Sequence, residues 1–368
     1  LQGMGVKFGF LMHVSPDGNR VARHHVAEGS GRGLMVPLLR EMFRRKEIEF
    51  RRSVYVEELI VREGRVAGVR GRGVRTGERV EVLGRAVVIA TGGFGSNLRM
   101  AAEQWPASLP RARRMLGGSG VHSQGSGHWM AAAAGAELKD MHRLWIYPTG
   151  TRNPLPTGAE RGIEVLSYYL WLDHRGGIIP HEQGGTLEHI ESVLKPGGEY
   201  FWSICDAATR ATIFVTGSDW QVNREEKYDA LFNNPEIVRR GETLRELAEK
   251  MGVDPERLEA SLAQYNSRAA VKLVHPPFYA LQHFPLIRKT MGGIRTNLRS
   301  QVLTKAGDVI DGLYAAGEAA GFGGGNINGK RALEGTFLGP CVLTGRVAGR
   351  EAAADALRIR MEPRAGTR

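Results

Sequence analysis

Glu318 is the first residue in this sequence whose type and setting could do chemistry. It closes the run Gly312-Leu-Tyr-Ala-Ala-Gly-Glu318. Ala-Ala-Gly-Phe-Gly-Gly-Gly-Asn326 follows, and then Gly335-Thr-Phe-Leu-Gly-Pro340. A short apolar strand thus enters a Gly-Glu turn, a glycine-rich loop and a helix start, an arrangement that brings bare backbone close to a flat, polar, anionic ligand. A second segment, Arg85-Ala-Val-Val-Ile-Ala-Thr-Gly-Gly-Phe94, is another apolar strand that ends on glycines. Ala90, Thr91, Gly92, Gly93, Gly317 and Glu318 are therefore candidate ligand contacts. Thr336 and the free amides near Phe337, Leu338 and Gly339 are candidates as well, because Pro340 suits the first turn of a helix. The competing reading makes Glu318 a helix-start carboxylate stabilised by the dipole, and Thr91-Gly-Gly a tight strand-to-loop turn.

Several elements must hold these residues. Val36 to Arg45 has helical periodicity, with Val36, Leu39 and Phe43 as the expected buried stripe. Gly29-Ser-Gly-Arg-Gly33 before it is no dinucleotide fingerprint, since Leu34 stands where the third glycine belongs. Val56 to Val61, an Arg62-Glu-Gly-Arg65 turn, Val66 to Val69 and Val80 to Ala90 read as a small β-meander that enters the Thr-Gly-Gly turn. Residues from Trp105 to Pro285 are richer in Pro and Gly loops and carry two clear helices. Thr243 with Glu246 forms a capping-box pattern, and Asp254 precedes Pro255 as an N-cap before proline. Seven histidines (His24, His25, His122, His128, His142, His181, His189) show no metal-binding spacing.

Together, the two glycine-ended strands resemble the FAD-binding core of the fumarate reductase/succinate dehydrogenase flavoprotein family. The nearest branch is the FAD-binding dehydrogenases related to the 3-ketosteroid dehydrogenases, and the resemblance spans Gly5 to Arg350. It implies an α/β (α+β) fold: an incomplete Rossmann-like FAD-binding domain with a β-meander (residues 1–104 and 286–359), an inserted capping or substrate domain (105–285), and a disordered tail (360–368). It implies non-covalent FAD, with Glu318 accepting hydrogen bonds from sugar or ribityl hydroxyls, Val56 offering its backbone to the adenine, and Gly335 to Pro340 against the flavin ring. Ser126 stands in Gly125-Ser126-Gly127 where the family has Gly-Asp-Gly. The implied reaction moves a hydride between flavin N5 and a CH–CH bond next to a carbonyl or carboxylate of a small-molecule substrate, with an electron partner the sequence does not identify. Of the residues that fumarate reductases use on their substrate, only an arginine of the C-terminal loop is matched, by Arg331. Tyr147 precedes Pro148-Thr149, and Lys289 precedes Thr290-Met-Gly-Gly, where that family has histidines. Arg331 is therefore expected at the substrate oxygen, with Tyr147 and Lys289 as candidate proton donors and Tyr168, Tyr169, Tyr200 and Tyr279 as alternatives. The family's Gly-x-Gly-x-x-Gly unit is not found, and it is expected to precede Leu1; a fragment of this kind is expected to hold FAD weakly.

The chain has 368 residues, 42% hydrophobic and 24% charged, with 49 glycines. This is an ordinary globular composition with room for a large core. No apolar run is long enough for a membrane span. The two cysteines, Cys205 and Cys341, make no disulfide framework and suggest a reducing cytoplasm. A formal net charge of +11 admits a nucleic-acid partner, but the basic residues are scattered without interleaved aromatics, so a charged surface without nucleic acid is expected. The rival from another class is a non-catalytic remnant carrying half of an FAD site.

Overall fold

The computed structural model describes all residues except 13–23, 156–159, 168, 181–186, 195–198, 217–219, 221–222, 325–336 and 362–368. The chain forms two compact units. The first comprises Leu1–Met100, Val121–Leu144 and Lys289–Arg368, and the second Ala101–Gly120 and Trp145–Arg288.

In the first unit, the strand Val87–Ile89 lies parallel to Val309–Ala315, with Leu313 opposite Val87 and Ala315 opposite Ile89. The strand Gln301–Leu303 pairs antiparallel on the other side of Val309–Ala315. Leu313, Ala315 and Ile89 join Val66, Ala131, Ile294 and Val302 in one buried cluster. The Ala316 amide donates to the Ile89 carbonyl at 3.0 Å, so both strands end at one level and deliver Thr91-Gly-Gly and Gly317-Glu318 to the same place. The meander is a separate three-stranded sheet of Val54–Arg62, Arg65–Gly73 and Arg79–Leu83. Its first hairpin turns on Glu63 and Gly64, both with positive φ (50° and 75°), the backbone that a two-residue hairpin loop of this hand demands. The expected single strand Val80 to Ala90 is two strands: Arg79–Leu83 closes the meander, and Val87–Ile89 joins the parallel sheet after a break at Gly84.

Three further expectations differ from the structure. The helix Ser30–Arg44 forms, yet none of its residues is buried, and Val36, Leu39 and Phe43 are 41%, 37% and 61% exposed. The helix meets the strand His24–Ala27 and the turn Gln2–Met4, and Phe43 packs edge-on against Phe50 at 5.4 Å. Residues 121–144, expected in the inserted part, pack in the first unit. Their helix Ser126–Ala133 gives Ala131 to its core, and Leu138–Lys139 pairs with Gly293–Ile294. The C-terminal helix Leu338–Met361 includes two residues assigned to the tail.

The second unit is built on a sheet ordered Leu170–Asp173, Phe201–Asp206, Phe278–Thr290, Leu144–Arg152, Gly162–Leu166, Phe214–Val215. Every residue of Phe201–Asp206 is buried, because both of its faces are covered. One face carries Trp202 and Ile204 against Leu247, Leu258 and Leu262 of the helices Leu244–Met251 and Pro255–Arg268. The other packs Cys205, Tyr279 and Val165 against Trp220, Tyr228 and Phe232. Both helix starts follow their sequence signals. Thr243 accepts from the Glu246 amide at 3.2 Å while Glu246 accepts from the Glu242 amide at 2.8 Å, and Asp254 accepts from the Arg257 amide at 3.0 Å. No helix among the described residues is long and apolar enough to cross a membrane.

Candidate active site

Glu318 is the centre of a half-buried polar node in the first unit. The Thr290 amide donates to its Oε1 at 2.9 Å and the Thr290 hydroxyl at 3.2 Å, and the Gly93 amide also donates to the carboxylate. Burial pushes the Glu318 carboxyl above the usual range, against the opposing pull of these donors and of the Lys289 charge. Only glycine fits at 93: a Cβ there would lie 2.1 Å from Thr290 Oγ1 and 2.4 Å from Glu318 Oε1. Gly317 holds a φ of +67° and donates its amide to Thr344 Oγ1 at 2.9 Å, and that hydroxyl donates to the Pro340 carbonyl at 2.7 Å. The strand end and the helix Leu338–Met361 are thereby tied together at the helix N-terminus, where first-turn amides have no partner within the helix.

Lys289 and Phe337 meet at this end. The Lys289 ammonium lies 4.0 Å from the centroid of the Phe337 ring, which is buried and packs against Phe322 at 5.4 Å. A cavity of about 630 Å³ runs along the first turns of the same helix, lined by Phe322, Gly339, Pro340 and Leu343 with Gly293 and Gly321. Cys341 stands beside Glu318, and burial, reinforced by that carboxylate, pushes its thiol up to about 11.

The structure therefore brings together Thr91-Gly-Gly93, Gly317, Glu318, Lys289 and Phe337. Ala90 and Thr91 are exposed at the strand end, and Leu338 opens the helix at 60% exposure. Ser126 opens the helix Ser126–Ala133, and its neighbour Gly127 packs where a Cβ would lie 2.2 Å from Thr91 Oγ1. Val56 stands apart on the meander, opposite Gly71. Arg331 and Thr336, as well as Tyr168, lie outside the described residues.

Tyr147 belongs to the second unit, on the strand Leu144–Arg152, packed with Leu116, Phe284 and Leu286. Three of its tyrosine alternatives hold structural places. Tyr279 is in the core, Tyr200 packs against Trp202 and Phe284, and Tyr169 shares a 2.5 Å hydrogen bond with Thr212. Sequence reasoning passed over Arg288, whose guanidinium lies 5.7 Å from the Tyr147 ring centroid and pairs with Glu164, and it gave Thr290 no role of its own. The Thr290 signal was available, as the hydroxyl residue of the Thr-Met-Gly-Gly turn; Arg288 had none.

The donor set of the first unit fits FAD. A half-buried carboxylate suits sugar hydroxyls, glycine backbone admits a close approach, an aromatic pair suits a flat ring, and a cation with a helix N-terminus suits developing negative charge.

A family model described as the FAD binding domain matches residues 2–338. A KsdD-like steroid dehydrogenase of Mycolicibacterium smegmatis is 33% identical over 92% of this chain and 76% of its own length. The open conformation of a flavocytochrome c3 fumarate reductase superposes with a TM-score of 0.74 at 26% identity, covering 97% of this chain and 61% of that one. A 3-ketosteroid Δ1-dehydrogenase from Sterolibacterium denitrificans shares the fold, with a TM-score of 0.61 at 23% identity over 82% of this chain and 59% of that one. With glycine-ended parallel strands meeting at Glu318 and a family match over nearly its whole length, the chain belongs to the FAD binding domain family and is an FAD-binding oxidoreductase of the fumarate reductase and ketosteroid dehydrogenase group.

Proposed function

We propose that this protein dehydrogenates or reduces a carbon–carbon bond next to the carbonyl of a cyclic, steroid-like ketone. The observation that carries this reading is the placement of Lys289 beside Glu318 and over Phe337, at a position where a dicarboxylate-reducing site would present histidine. The steroid dehydrogenase likeness of the mycobacterial relative supports the same substrate class. Gly92, Gly93, Gly317, Glu318, Phe337 and Leu338 would hold FAD, with Ala90, Thr91, Ser126 and Thr336 near it and Val56 on its adenine side. When bound, FAD supplies the hydride acceptor or donor for the substrate carbon.

The chain's own residues have two tasks. One is to stabilise the charge that grows on the substrate oxygen, the role we give to Arg331, since a guanidinium pairs well with an enolate or carboxylate oxygen. The other is to move a proton at the neighbouring carbon, the role we give to Lys289 Nζ and the Tyr147 hydroxyl.

Turnover of a 3-ketosteroid and of fumarate by the FAD-loaded wild type, compared with Arg331→Ala, tests this reading. We expect steroid turnover, little fumarate reduction, and a loss on the order of 10² in the variant with flavin retained. Rapid fumarate reduction, or wild-type turnover by Arg331→Ala, would overturn it.

A further inference from the structure

Arg288 is anchored in an unusual way for a residue with no part in the flavin node. Its Nη1 donates to Glu164 Oε2 and, at 2.8 Å, to Thr216 Oγ1, and that hydroxyl lies 3.0 Å from the same carboxylate oxygen. Glu164 is only 6% exposed, so a desolvated carboxylate and a neutral hydroxyl fix the guanidinium from one side. On another side stands the Tyr147 ring, 5.7 Å away and within the range of a cation–π contact. A buried carboxylate is a costly anchor for an arginine that only fills surface.

We propose that Arg288 is a positioning residue that acts through Tyr147, holding the phenol in place and stabilising the phenolate it leaves. The inference rests on the reading of Tyr147 as a proton carrier. In the reducing direction the Tyr147 O–H bond breaks, its proton forms the new C–H bond on the enolate carbon of the substrate, and the electron pair stays on the phenolate oxygen. Dehydrogenation runs the same step backwards. A guanidinium beside the phenol favours the charged form. Glu164 moderates that effect by half-neutralising Arg288, so the two residues oppose one another in what they do to Tyr147.

Among the described residues, other charged or titratable groups lie on the elements around Tyr147: Tyr200 packs against the same cluster, and Arg152 of the same strand pairs with Glu236. Arg114 lies over Phe284 and approaches Glu160 at 4.0 Å, and Arg161 follows Glu160. His283 sits between Thr151 and Ser203, where burial lowers it to about 3 and keeps it neutral. Arg288 lies against the Tyr147 ring and Glu164 pairs with that guanidinium, so removing one or the other should move the phenol in opposite directions.

The test is the ionisation of Tyr147, followed by NMR on protein carrying ζ-carbon-labelled tyrosine, with the signal assigned by its loss in Tyr147→Phe. Arg288→Gln should raise the Tyr147 midpoint by about one pH unit, Glu164→Gln should lower it, and Arg288→Lys should return it close to wild type. The basic limb of the pH profile for reduction, and the acidic limb for dehydrogenation, should move with it. An unchanged midpoint in both Arg288→Gln and Arg288→Lys, or shifts of the same sign in Arg288→Gln and Glu164→Gln, would overturn the proposal. Full turnover by Tyr147→Phe would also overturn it, and would locate the failure in the reading of Tyr147 rather than in its pairing with Arg288.

Discussion

His128 shows what a single residue can hide. It is fully buried on the helix Ser126–Ala133, edge-on to Phe94 at 5.5 Å, and neither ring nitrogen has a hydrogen-bond partner. Burial lowers its pKa from 6.5 to about 4. An unfolded chain takes up a proton near pH 6.5 that the folded chain refuses until about pH 4. Its contribution to stability is therefore whole above pH 6.5 and is lost as pH falls through that window. Chemical denaturation across this range should show the loss, and His128→Leu should recover roughly 2 kcal/mol of it at pH 5. An acid loss as large in the variant as in the wild type would contradict this account. Residues of this kind were the least legible in the sequence. A lone histidine among small residues carries no periodic or spacing signal, and the partner that gives Arg288 its meaning is 124 residues away. Glu318 and Gly93 were legible because the strand-end backbone they occupy tolerates few alternatives.

At the scale of elements, local chemistry predicted starts and turns well. The Thr243 and Asp254 caps and the Glu63-Gly64 turn are where their residues place them, because each is decided within four positions. The helix Ser30–Arg44 shows the limit. Its amphipathic pattern states which face is apolar, not what covers it, and Val36, Leu39 and Phe43 are exposed. Packing at the strand ends makes a sharper prediction. Gly93→Ala drives a methyl group into Thr290 Oγ1 and Glu318 Oε1. It should cost about 1–3 kcal/mol of stability and lower flavin retention after desalting. Gly349→Ala, in the C-terminal helix with nothing within 4 Å of the added Cβ, should keep its flavin and gain about 0.5–1 kcal/mol. Equal behaviour of the two variants, in flavin content and thermal midpoint, would remove Gly93 from the node.

The whole molecule depends on pairings across long stretches of sequence. The strands Val87–Ile89 and Val309–Ala315 are neighbours although more than two hundred residues separate them, and the sequence disclosed this because both end in the same glycine chemistry. The docking of residues 121–144 in the first unit was not disclosed, since small residues such as Ala131 pack equally well in any core. The central claim is that this chain is a flavin oxidoreductase of cyclic ketones. Its most direct test is an anaerobic titration of the FAD-loaded protein with a saturated 3-ketosteroid, followed by the flavin absorbance. The account predicts that the absorbance falls in proportion to steroid added, that the dehydrogenated steroid appears in equal amount, and that succinate leaves the spectrum unchanged. A spectrum that responds to succinate and not to the steroid would contradict it.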